Sequence, residues 1–187
     1  MNYPLHFLIL GAITVLWLLG LLIEIHYLPI KGAPLPGSLG AMYGLSLVLA
    51  QNMTVPVIRK ILLVVFGGLL SALVPYAGLF TGYFIGNVLG WEGEARYNDF
   101  YEYLVFGAGS TIGALTFALL TKVTILPRIS FYLLPVAMVL CAISTWTTMT
   151  IIGEPSSNLS MLWLTFGWWA AFSVALFITD RIISDQQ

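Results

Sequence analysis

The sequence predicts an all-α integral membrane protein: a bundle of about six transmembrane helices forming one polytopic domain over residues 1–187, with both termini cytoplasmic. Three observations predict it. The chain is 59% hydrophobic and only 8% charged, whereas soluble domains carry about a quarter charged residues. Its mean hydropathy is +0.96. Its fifteen charges, seven basic and eight acidic, fall between apolar blocks at 1–23, 32–58, 61–91, 103–121, 129–153 and 155–179, each long enough for a helix of about 20 residues to cross a hydrocarbon core of about 30 Å. A net charge of −1 and a pI near 6.0 offer no basic excess to neutralise a phosphate backbone, so nucleic acid is not an expected partner.

The first span is placed at 5–28. Met1 to His6 lacks a basic leader and no small-residue cleavage pattern follows, so this helix is expected to persist in the mature chain. Glu24 and His26 lie near its outer end. Glu24 is a candidate for a functional polar contact, because a carboxylate about one turn inside the interface is costly unless paired or wetted; snorkelling to water is the alternative.

The second span, 38–57, opens in a stretch rich in Pro34, Pro36, Gly37, Gly40 and Gly44, and a helix is expected only after Pro36. The third, 61–90, is expected to cross once, tilted and kinked at Pro75, because either half alone is too short. It ends in AGLFTGYFIGNVLG, where Gly78, Gly82, Gly86 and Gly90 recur every four residues and would line one helix stripe. In lipid such a stripe lets another backbone approach closely. Gly109 and Gly113 offer a matching face on the fourth span, 103–122, so packing of spans three and four is one expectation and contact with another subunit the other.

Residues 91–104, WEGEARYNDFYEYL, hold the densest charge. Tyr97, Phe100, Tyr101 and Leu104 share one helical face, as in a short helix lying at the membrane interface. Alternatively Asp99 caps the fourth span, with Glu102 three residues on. A functional reading makes Glu92, Glu94, Arg96, Tyr97, Asp99, Tyr101 and Glu102 an external contact surface for cations or a partner.

The fifth and sixth spans are placed at 130–152 and 160–180. Cys141, the one cysteine, lies inside the fifth, which excludes an intramolecular disulfide and a cysteine-built metal site and suits a small core residue. With the N-terminus inside, Arg59, Lys60, Lys122, Arg128 and Arg181 face the cytoplasm and only Lys31 and Arg96 lie outside, which satisfies the positive-inside rule.

Hydroxyls and amides gather at outer-half depth: Tyr83, Asn87, Ser110, Thr111, Ser144, Thr145, Thr147, Thr148 and Thr150. If their faces converge, Asn87, Ser110, Thr147 and Thr148, with Glu24 near the entrance, would form a polar pocket for a small solute; otherwise each hydroxyl bonds a carbonyl of its own helix. No metal site or cofactor is expected. His6 and His26 lie about 30 Å apart by helical rise, too far to share a haem. The GAGS around Ser110 resembles the serine motif of rhomboid proteases, but position 111 is not glycine and no later histidine can act as base.

The size and six-span layout are similar to the substrate-capturing membrane subunits of energy-coupling vitamin transporters, which implies a solute site towards the outside. The expected function is that of a non-catalytic accessory, structural or assembly subunit, with lipid and other membrane subunits as partners. A solute-binding transporter subunit is the alternative, and an enzyme of unknown chemistry comes third. Short loops and the absence of disulfides fit a bacterial inner membrane.

Overall fold

A computed structural model describes residues 2–27, 35–50, 55–90, 99–126, 131–152 and 158–184. The chain is all-helical, with six helices and no strand among the described residues: α1 Tyr3–Tyr27, α2 Leu35–Leu49, α3 Val57–Val88, α4 Asp99–Thr124, α5 Leu133–Ile152 and α6 Asn158–Ser184. Three stretches, Val57–Val88, Tyr101–Thr124 and Leu133–Ile151, are long and apolar enough to cross a membrane.

The helices differ from expectation mainly at their ends. α2 starts at Leu35, so Pro36 occupies the first turn, where its missing N–H costs no helical bond. It stops at Leu49 rather than 57, ahead of the polar Gln51 and Asn52 and of Pro56. Its 15 residues therefore rise about 22 Å, less than the hydrocarbon thickness of about 30 Å. α3 runs unbroken across Pro75 as one 32-residue helix. α4 starts at Asp99, within one residue of the start expected from the capping reading.

The chain forms two compact units, one from Met1–Ala72 with Leu120–Arg128 and one from Leu73–Leu119 with Ile129–Gln187. In the first, the Asn2 N–H donates to the Ala50 carbonyl at 3.0 Å, which ties the start of α1 to the end of α2. One turn further along α1, His6 is fully buried, with its ring edge-on to Tyr43 at 5.3 Å between centroids. Its Nδ1 lies 3.3 Å from the Ser46 hydroxyl, which itself donates to the Tyr43 carbonyl at 2.7 Å. A hydroxyl has one proton, so with that proton on Tyr43 the Ser46 oxygen accepts and His6 Nδ1 donates.

α2 also lies close against α3. A Cβ on Gly44 would stand 3.1 Å from the Leu63 carbonyl oxygen and from the Val64 Cα. A Cβ on Gly40 would overlap the Ser71 side chain and stand 2.5 Å from the Gly67 carbonyl oxygen. Residues 40 and 44 of α2 thus meet residues 67–71 and 63–64 of α3 in antiparallel order, with Tyr43, Leu47 and Leu63 buried beside them. Gly40→Ala should accordingly destabilise the protein by about 1–3 kcal/mol through overpacking. Gly11→Ala, with nothing within 4 Å of the added methyl, should stabilise it by about 0.5–1 kcal/mol. Thermal melts of the two variants in one detergent check the contrast in sign.

The second unit is built around α4. Its core is Phe117, Phe172, Ala114, Ala137, Cys141, Ala175 and Leu176, none more than 1% exposed. Phe117 meets Trp169 at 4.8 Å, Phe172 at 5.4 Å and Trp168 at 6.5 Å, all edge-on. Trp168 stacks on Phe172 at 5.6 Å and 10°. The run FGWWAAF of α6, residues 166–172, supplies three of these four rings, because 168, 169 and 172 fall on one helix face.

Candidate functional site

The most highly organised site lies on α4, where the small residues of FGAGSTIGA, 106–114, let three helices approach. Towards α3, a Cβ on Gly78 would stand 2.7 Å from the Val105 carbonyl oxygen and 3.0 Å from the Gly109 Cα. A Cβ on Gly82 would overlap the Val105 side chain, and one on Gly113 would stand 3.1 Å from a Val74 methyl. The pairs 74/113, 78/109 and 82/105 have a constant sum, as in an antiparallel helix pair. Gly78, Gly82 and Gly86 are buried along this face of α3.

Gly90 does not belong to that stripe. α3 ends at Val88, and Gly90 lies beyond it with φ +70° and nothing within 4 Å of where a methyl would stand. Its N–H donates to the Asn87 carbonyl at 3.2 Å. It is the left-handed residue that ends the helix, a position glycine occupies without strain. A spacing of four therefore carried the expected stripe one glycine too far.

Towards α5, the indole nitrogen of Trp146 would stand 2.6 Å from a Cβ on Gly107. Next to it the Thr145 hydroxyl, buried, donates to Ser110 Oγ at 2.9 Å. Towards α6, Trp168 Nε1 donates to the Ser110 carbonyl at 3.2 Å, and the ring edge of Trp168 meets Gly113. The Cys141 thiol, fully buried, donates to the Trp168 carbonyl at 3.7 Å, which links α5 to α6. Ser110 therefore holds one polar contact from each of two neighbouring helices, through its side chain and its carbonyl. Above it, Tyr103 and Thr150 bring their hydroxyls to 3.3 Å, and Tyr103 meets Trp146 edge-on at 6.4 Å.

The residues expected to form a polar pocket are distributed differently. Ser110 is buried, Thr148 is half-buried, and Asn87 and Thr147 are exposed. Thr147 is two residues, about 200° of helix, from the inward-facing Thr145. A Cβ on Gly167 would lie 3.1 Å from the Ser144 hydroxyl and 3.2 Å from that of Thr148, so these two point at α6. Thr111 and Thr150 donate to carbonyls four residues back on their own helices. The side chain of Glu24 lies outside the described residues, as do Glu92, Glu94, Arg96 and Tyr97 and the side chain of Asp99; Tyr101 and Glu102 are half-buried on α4.

Gly107, Gly167, the Trp168–Phe172 ring cluster and the His6–Ser46–Tyr43 contact have no counterpart among the sequence expectations, and Gly40 and Gly44 entered there only as part of the Gly- and Pro-rich stretch before the second span. Gly40 and Gly44 carry the same four-residue spacing as the α3 stripe and were legible on that ground.

Chemically, the site is an arrangement for holding helices. The described partner of the Ser110 hydroxyl is another hydroxyl, which cannot take its proton near neutral pH. Among the described residues no group of three His, Cys, Asp or Glu side chains could hold a metal ion. Thr145→Ala and Trp168→Phe should each cost about 1 kcal/mol. Because both act on Ser110, a double-mutant cycle between them should give a coupling on the order of 0.5 kcal/mol, whereas independent contacts would add.

Comparison of the chain with protein-family models, with curated proteins and with solved structures gives no match.

Proposed function

We propose that the protein is a membrane-embedded, non-catalytic subunit that assembles with other membrane proteins. The observation that carries the reading is the outward surface of α3. Ile58, Leu62, Val65, Leu69, Leu73, Tyr76, Phe80, Tyr83 and Val88 are all exposed, at steps of three to five residues along its whole length. A soluble fold would not leave so long an apolar face uncovered. The small-residue face on the other side of the same helix is already occupied by α4, so the exposed face is the one available to lipid and to a partner.

Aromatic positions support membrane embedding. Phe131 and Tyr132 are exposed at the start of α5, Trp146 near its end, and Trp163 near the start of α6, consistent with rings at both interfaces. The 32 residues of α3 rise about 48 Å, so within a core of about 30 Å the helix is tilted, kinks at Pro75 or projects beyond the bilayer. In this reading the remaining helices complete about six spans, the short α2 crossing where the bilayer thins around it, with Arg59, Lys60, Lys122 and Arg181 on the cytoplasmic side of a bacterial inner membrane. The solute-binding alternative draws little support from the hydroxyls of α4 and α5: Thr145 and Ser110 pair with each other between helices, and Thr111 and Thr150 donate to carbonyls of their own helices.

A photoreactive side chain placed at Phe80, which is 74% exposed, tests the reading in native membranes. The expected product is one cross-linked protein species, absent when the probe replaces the buried Phe117. Lipid adducts alone at Phe80, together with a melting temperature raised by a small solute, would favour the transporter alternative.

A further inference from the structure

The half of α3 that belongs to the second unit, Leu73 to Val88, packs on α4 through Val74, Gly78 and Gly82. At about 100° per residue, Leu73, Tyr76, Phe80, Tyr83 and Phe84 fall within an arc of about 100° on the opposite side of the helix. They are 51, 66, 74, 52 and 61% exposed. The first four recur at steps of three, four and three residues, the spacing of a seam along which a second helix winds. Tyr76 sets this surface apart from one suited to lipid alone. Its hydroxyl has no hydrogen bond among the described residues, and by helical rise it lies about 18 Å inside the end of α3 at Val88, between apolar neighbours. An aromatic side chain on a helix leans towards the N-terminal turn, which carries this phenol deeper still. Hydrocarbon tails offer it neither donor nor acceptor, so it is costly there until a protein group meets it.

We propose that this half of α3 is a self-association surface, on which the α3 of a second copy of the chain lies in parallel about a two-fold axis along the membrane normal. The inference rests on the assembly reading above and names one of its partners. Copies inserted in one orientation carry Tyr76 at the same depth, so each phenol meets its equal, one donating and the other accepting. The arc holds no charged residue, so identical faces meet without repulsion. An aromatic side chain has about 200 Å² of surface, and at these exposures the five residues offer roughly 600 Å² per copy, or about 1,200 Å² for the pair, which reaches the lower bound of a stable interface. Ile58, Leu62, Val65 and Leu69, nearer the start of α3, stay open to other subunits.

The test oxidises single-cysteine substitutions of the full-length chain in native membranes. Cys141 is fully buried, so the wild type serves as the unreactive background. Phe80→Cys and, independently, Leu73→Cys should each give a disulfide-linked species of two chains, whereas Val139→Cys, at an exposed position of α5, should stay single. In mild detergent Tyr76→Phe, which keeps the ring and removes the hydroxyl, should raise the dissociation constant of the two-copy species roughly three- to tenfold with helical content unchanged. Cross-linking of Phe80→Cys and Leu73→Cys no better than that of Val139→Cys, or a Tyr76→Phe variant that dissociates at the wild-type concentration, would overturn the proposal. The particle extracted from the same membranes separates the two readings: a chain that fails to cross-link to its copy yet leaves the membrane with another protein removes this inference alone, and one that leaves by itself removes the assembly reading with it.

Discussion

Replacing Gly78 by leucine should abolish the native packing of α3 on α4, and replacing it by alanine should cost about 2–3 kcal/mol. The asymmetry with Gly82 makes this expectation specific. At Gly78 an added methyl meets backbone, the Val105 carbonyl oxygen at 2.7 Å and the Gly109 Cα at 3.0 Å, and neither can move without separating the helices. At Gly82 it meets a methyl of the Val105 side chain, which can turn by about 30° off its rotamer for about 1 kcal/mol. Gly78→Ala should therefore lower the melting temperature clearly more than Gly82→Ala. Equal effects would mean that the helices are not in contact at Gly78 and Gly109.

The second large effect is expected at Phe117. Its ring is 1% exposed and is enclosed by Trp168, Trp169 and Phe172. Phe117→Ala leaves a void that three rigid rings cannot close together, and should cost about 3–5 kcal/mol. Phe117→Leu keeps much of the volume and should cost less than about 2 kcal/mol. The near-ultraviolet circular dichroism of the tryptophans, recorded alongside the melt, should fall in Phe117→Ala, because Trp168 and Trp169 each lose an edge-on contact with that ring.

What the residues disclose about the fold depends on which physical signal each carries. Charges mark where an apolar chain can end a helix, so α1, α3, α4, α5 and α6 were legible to within a few residues. α2 was less so: its block between Lys31 and Arg59 is free of charge, yet α2 ends at Leu49 and α3 begins at Val57. Faces are harder to read than lengths. In a soluble helix polarity separates the inner from the outer side, whereas here both sides are apolar. Leu62 and Leu63 are adjacent and chemically identical, yet one is 37% exposed and the other fully buried.

Small residues are the exception, because close approach needs them whatever the solvent. Gly78, Gly82, Gly109 and Gly113 were for that reason readable as packing positions. Gly107 and Gly167 were not, since each faces side chains of another helix and no second small residue, Trp146 in one case and Ser144 with Thr148 in the other. The same holds for Ser110. Its neighbours fixed neither the rotation of α5 that brings Thr145 to it nor that of α6 that brings Trp168, and a one-residue change of rotation would have exchanged Thr145 for Ser144 or Trp146.

A chain with so long an uncovered apolar face on α3 is expected to lie in a membrane and to be held there in a larger assembly. The most direct measurement is the mass of the particle released from native membranes by a mild detergent. A complex of fixed stoichiometry, heavier than the 20.5 kDa chain and containing at least one other membrane protein, is the predicted result. A lone chain carrying only lipid, or recovery of the chain from the soluble fraction without detergent, would contradict it.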